Sequence, residues 1–174
     1  MTHSHPLDGL RLAVELKPIN LAVGRAIWNR FGDIRTFAVN IHLKFPFAVV
    51  AGVLVIPTKE DPKAAPEEDE TGDGDIEAGA PLVTPGVKPA ETPSVTSGMK
   101  STTHLIERAV KRLTRAGGRR TEGDAPHLLE AIAVVAYDPE TATLDPNLPP
   151  KGSPLRWNEF VQALAVAYES RFEL

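Results

Sequence analysis

The chain has 174 residues, 42% hydrophobic and 24% charged, a size and balance that suit one small domain. It contains no Cys, which excludes a disulfide framework, a thiolate zinc site and cysteine catalysis. The formal charge of −4 hides an asymmetry: residues 60–77 carry nine acids against the single base Lys63, and the remainder holds 18 bases against 14 acids. A mildly basic body of this kind is compatible with a nucleic-acid partner.

No targeting signal or membrane span is expected. The opening Met1-Thr-His-Ser-His-Pro lacks the basic start and apolar stretch of a signal peptide. The longest apolar run, Phe45 to Pro57, has 13 residues, whereas a membrane-spanning helix needs about 20. A soluble cytoplasmic protein with no membrane partner is expected.

In chain order, residues 10–17 alternate, with Leu10, Leu12, Val14 and Leu16 on one face and Arg11, Ala13, Glu15 and Lys17 on the other. This predicts a half-buried strand. From about Ile19 to Lys44 the period changes: Val23, Ile27, Phe31, Ile34, Ala38 and Ile41 recur every three or four residues and give a helix one apolar stripe. Pro46 stops that helix and Ala48–Ile56 forms the next strand, parallel to the first across the helical crossover. Residues 58–100, acidic and then rich in Pro, Thr, Gly and Ser, bury too little apolar surface to offset their ordering entropy and read as a disordered insert. Ser101–Arg115 forms a second helix, stopped at Gly117-Gly118. Leu128–Tyr137 is an apolar strand that turns at Asp138-Pro139-Glu140-Thr141, and Ser153–Phe172 is a last amphipathic helix. The fold class is therefore α/β: a single domain, 1–57 and 101–174, interrupted by the 58–100 insert, with a mixed sheet flanked by helices.

Glu15 and Lys17 carry the chemistry. Two apart on a strand, they emerge on one face with Cα atoms about 6.6 Å apart. A carboxylate there can hold a hard divalent cation, and the ammonium can orient a water or steady charge on a phosphate. Hydrolysis of a phosphodiester requires an activated nucleophile and positive charge around the pentacoordinate phosphorus. The plainer alternative is a solvated Glu-Lys pair on an edge strand.

The surroundings add to the triplet. Leu7-Asp8-Gly9-Leu10 precedes it, and Pro18-Ile19-Asn20 leads into the helix bearing Asn29-Arg30-Phe31. The corner His42-Leu43-Lys44-Phe45-Pro46 then drops into Ala51-Gly52-Val53-Leu54-Val55-Ile56-Pro57. This arrangement resembles the restriction-endonuclease-like nucleases, the superfamily of the Pro-Asp…(Asp/Glu)-x-Lys motif, and within it the type II restriction enzymes. The likeness covers residues 8–57, and residues 101–172 only in element order. It implies a mixed-sheet nuclease core, Mg²⁺ as cofactor, double-stranded DNA as substrate and a homodimer; separately, no Gly-rich phosphate loop follows a strand, which argues against a nucleotide cofactor. Within it Glu15 matches the metal-binding carboxylate and Lys17 the catalytic lysine. The family's first carboxylate usually stands ten or more residues ahead of the Glu, whereas Asp8 precedes Glu15 by only seven. Asp8-Gly9 itself reads as a hairpin turn. The resemblance then implies a shortened member whose first strand and its Asp lie upstream of Met1, or an Asp8 recruited from the turn as metal ligand. A catalytically inactive remnant of the same fold, serving as a DNA-binding or protein-interaction module, is the rival reading.

Between Lys100 and Arg120 stand seven bases and the single acid Glu107. Arg108, Lys111, Arg112 and Arg115 share a helical face that would contact DNA phosphates, as would Arg30, or would simply be solvated. His42 and Asn40 read as corner hydrogen-bonders rather than ligands, and Trp28 and Trp157 as core or interface anchors.

Overall fold

The computed structural model describes residues 9–60 and 99–172. Its elements are β1 (Leu12–Pro18), α1 (Val23–Lys44), β2 (Val49–Pro57), β3 (Lys59–Glu60), β4 (Lys100–Ser101), α2 (Thr103–Leu113), β5 (Ala131–Asp138), β6 (Thr143–Leu144) and α3 (Trp157–Phe172). The main sheet runs β1-β2-β5-β6, with β1, β2 and β5 parallel and β6 antiparallel at its edge. The fold is thus α/β with a mixed four-stranded sheet and three helices, and the expected parallel crossover from the first strand to the second is present. The turn at Asp138–Thr141 joins β5 to β6 as read from the sequence.

Helices cover both faces. On one, α1 and α2 pack through Val23, Ile27, Ile34, Ile106 and Leu113 onto Val50, Leu54, Ile56, Ile132 and Val134. On the other, α3 lays Phe160 against Ala51, Val53, Ala131 and Ala133. β2 is buried almost throughout, as a central parallel strand covered on both faces must be. Each methylene withdrawn from water there contributes about 0.8 kcal/mol.

The strand β1 departs from expectation. Its apolar face was expected to be the buried one, yet Leu12, Val14 and Leu16 are 44%, 45% and 59% exposed, while Ala13, Glu15 and Lys17 are half-buried. The register explains the reversal. Ala13, Glu15 and Lys17 pair with Val50, Gly52 and Leu54, two of which belong to the α1-side core. Leu12, Val14 and Leu16 therefore face the α3 side, where α3 lies mainly over β5 and β2.

Two further expectations change. The ends of the 58–100 segment are ordered, since β3 and β4 pair antiparallel, Lys59 with Ser101 and Glu60 with Lys100; its interior, 61–98, lies outside the described residues. Helix α2 stops at Leu113, which leaves Arg115 in the following turn. Helix α1 begins after Ala22, a left-handed residue with no side chain able to cap, and the Val23 N–H donates instead to Glu60 Oε2 at 2.8 Å. A carboxylate at that end also meets the positive pole of the helix.

Candidate functional site

Glu15 and Lys17 stand together on the α1 face of β1, with Lys17 Nζ 2.6 Å from Glu15 Oε1. Helix α1 crosses close above them. Asp33 of α1 brings its Oδ2 to 4.0 Å from Lys17 Nζ, and one turn earlier Arg30 donates Nη1–H to the same oxygen at 3.1 Å. The cluster therefore alternates acid and base, Glu15–Lys17–Asp33–Arg30, and is formally neutral. The four side chains are between 25% and 51% exposed, so a large ligand can reach them.

The close approach of α1 depends on Gly52. It pairs with Glu15 across β1 and β2, and a Cβ added to it would lie 2.4 Å from Ile34 Cγ2. Ile34 follows Asp33 on the helix, so the missing side chain in β2 sets the height of Asp33 above the Glu15 strand.

Of the residues singled out from sequence, Glu15, Lys17 and Arg30 come together, and Asp8 lies outside the described residues. Arg108, Lys111, Arg112 and Arg115 are exposed on or just after α2, away from this cluster in sequence and on a different helix. Arg112 is partly committed: its guanidinium lies 4.9 Å from the Trp28 ring centroid. Trp28 packs at the core margin, as an anchor should, whereas Trp157 is 53% exposed. Asp33 was missed because it sits on the polar side of an amphipathic helix, where an acid between two arginines looks like any solvated charge.

A second charged cluster also escaped the sequence. Glu130, just ahead of β5, has a fully buried side chain. Its Oε1 meets Arg119 Nη1 at 2.9 Å and Arg171 Nη2 at 2.6 Å. Its Oε2 accepts the Val50 N–H at 2.8 Å and lies 3.4 Å from His42 Nε2. His42 Nδ1 is 2.8 Å from the Pro126 carbonyl oxygen, the corner hydrogen bond its position implied. Arg119, one of the seven bases between Lys100 and Arg120, is thus a buried partner of Glu130. Burial alone would raise the Glu130 pKa, but His42, the Val50 N–H, Arg119 and the charge of Arg171 outweigh it and hold it at about 2. Almost closed to solvent, this cluster ties α1, β2, β5 and the end of α3 together.

No protein-family model, curated protein or solved structure matches this chain. Among the described residues no helix is long and apolar enough to cross a membrane.

Proposed function

We propose that the protein is a Mg²⁺-dependent endodeoxyribonuclease of restriction type, hydrolysing phosphodiester bonds of double-stranded DNA at the Glu15–Lys17 strand. The observation that supports this reading is the junction of a carboxylate and an ammonium on one strand face with a second carboxylate, Asp33, delivered from α1. In this reading Asp33 would supply the second carboxylate, for which Asp8 or an upstream Asp was the expectation.

The donor set suits the ion. Mg²⁺ is a hard cation that binds through one or two carboxylates and completes its shell with water and phosphate oxygens. Among the described residues no group of three acids or histidines could form an all-protein cage, and Mg²⁺ does not require one. Glu15 and Asp33 would hold it, at the cost of partly exposed ion pairs worth on the order of 1 kcal/mol each. When bound, the ion supplies Lewis acidity toward the phosphate. Released from its two acids, Lys17 hydrogen-bonds the attacking water or a nonbridging phosphate oxygen and offsets the charge that grows during displacement. Arg30 fixes the phosphate alongside.

The test is conversion of supercoiled plasmid to nicked circles with Mg²⁺, comparing wild type with Glu15→Gln and Lys17→Ala. Loss of one charge-stabilising group costs on the order of a hundredfold or more, so each variant is expected to fall by at least that factor while remaining folded. Equal activity in the three proteins removes the assignment. Duplex binding by an inert wild-type chain would instead establish the rival, a DNA-binding module on a catalytically inactive scaffold.

A further inference from the structure

We propose that the Pro81-Leu82-Val83-Thr84-Pro85 stretch of the chain's own insert docks in the apolar groove between the sheet and the start of α3. The proposal is independent of the nuclease reading.

The groove has a volume of about 430 Å³ and lies toward the carboxyl ends of the parallel strands. Leu16, Val53 and Val55 line it from the sheet, Leu144 from β6, Leu148 from the following loop and Trp157 from the first turn of α3. Among the described residues Leu16, Leu144 and Trp157 are left 59%, 68% and 53% exposed. Apolar surface gathered in a concave site of this size is the mark of a binding site. Its polar groups are already engaged. Arg156 donates Nη1–H to the Pro149 carbonyl at 2.7 Å and Nη2–H to the Pro146 carbonyl at 3.1 Å. Asp145 accepts the Asn147 N–H at 2.8 Å. The groove therefore suits an apolar occupant.

Position, composition and charge point to the insert. Its two stalks, β3 and β4, stand at this same end of the sheet. The Thr58 N–H donates to the Tyr137 carbonyl, and Lys59 Nζ reaches Asp138 Oδ2 at 3.1 Å. Val55 and Ala136, both in the groove, precede these contacts closely in β2 and β5. Between the stalks run the 38 residues 61–98, ample reach at about 3.3 Å per extended residue. Tethering also raises the local concentration, so a weak contact suffices. Within 61–98 the apolar residues larger than Ala are Ile76, Leu82, Val83, Val87 and Val95, and Leu82-Val83 is the one adjacent pair. Pro81 and Pro85 flank it, and proline restricts the backbone in advance, so less entropy is lost on docking. Aromatic-lined grooves are the recurrent seat of such segments. Trp157 supplies the aromatic face. Arg156 and Pro146 also border a polar depression lined by Lys151 and the acid Glu159, where the two bases would meet Asp75 and Glu77, the acids that precede Pro81.

The chain has no Cys and two Trp, which makes the test direct. A nitroxide is attached to Thr84→Cys in the ¹⁵N-labelled full chain, and the two indole N–H signals are told apart with Trp157→Phe. The Trp157 signal is expected to be lost by paramagnetic broadening and to return when the nitroxide is reduced. Trp28, which packs on the opposite face of the sheet, should keep its signal. Adding Leu82→Ser and Val83→Ser to the labelled chain should restore Trp157 without altering the fold. A Trp157 signal unaffected by the label, loss of Trp28 alone or of both, or broadening indifferent to the serines overturns the proposal. A mixture of labelled ¹⁴N chain with unlabelled ¹⁵N chain should show no broadening; loss of Trp157 there would assign the groove to a second copy and overturn docking within one chain.

Discussion

Ile34 and Gly52 touch as only a residue without a side chain allows, and the contact lies directly beneath the charged cluster, because Gly52 is the β2 partner of Glu15. The core and the site therefore share one constraint. Gly52→Ala must push α1 outward or force Ile34 off its rotamer, a cost of about 1–3 kcal/mol for overpacking. Chemical denaturation should show that loss. Ile34→Ala removes both atoms in the way, Cγ2 and Cδ1, so in that background Gly52→Ala should cost less than it does in the wild-type chain.

Asp33 makes a different prediction because it is 45% exposed and its ion pairs are weak. Asp33→Asn should leave unfolding free energy within about 0.5 kcal/mol of wild type. Any Mg²⁺-dependent nicking should nevertheless fall, and the Mg²⁺ concentration needed for half-maximal rate should rise. A variant as active as wild type at all Mg²⁺ concentrations would leave Glu15 and Lys17 without the second carboxylate.

The pH dependence of stability follows from Glu130. Held at about 2 in the fold, against an ordinary value near 4.5, its carboxylate contributes stability that is complete above about pH 4.5. That contribution is lost as pH falls through about 2. The difference corresponds to on the order of 3 kcal/mol. Urea midpoints measured from pH 7 to pH 2 should decline over this window. Glu130→Gln removes the negative partner of two buried arginines and should cost about 3–5 kcal/mol at neutral pH. Its remaining profile should be flatter below pH 4.5. A wild-type midpoint that stays level to pH 2 would contradict the buried charge arrangement.

Periodicity carried most of the fold. Apolar residues every three or four positions placed α1, and the uninterrupted Val-rich run from Val49 to Ile56 placed β2, because those patterns report burial directly. What periodicity does not report is which neighbour does the burying. The alternation of β1 was legible, but its buried face was inferred from apolarity, and an edge strand that α3 leaves largely exposed escapes that rule. The site was half legible for the same reason. Glu15 and Lys17 share a strand, so spacing alone unites them. Asp33 joins them only through the packing of α1 on Gly52, and Glu130 meets Arg119, Arg171 and His42 only through tertiary contacts spanning most of the chain. Long-range ion pairs leave no local pattern.

The last prediction separates a DNA-contacting helix from a solvated one. Each phosphate neutralised by a base releases counterions, so log affinity should fall with log salt by about 0.9 per contact on duplex DNA. Arg108, Lys111 and Arg115 are exposed and project from α2 and its following turn. Replacing the three by Gln should flatten the slope by up to about 2.7 units and weaken binding to every duplex alike, since phosphate contacts carry no base information. Adding Arg112→Gln should change the slope little further, because that guanidinium is stacked on Trp28, and should instead lower stability slightly. Deleting residues 61–77 removes eight acids while keeping Glu60, which accepts the Val23 N–H at the start of α1. Low-salt binding should then strengthen. A salt titration on a random duplex compares the four proteins. An unchanged slope in the triple variant would make α2 a solvated face, and any DNA affinity would then have to come from the Glu15–Lys17–Asp33–Arg30 cluster.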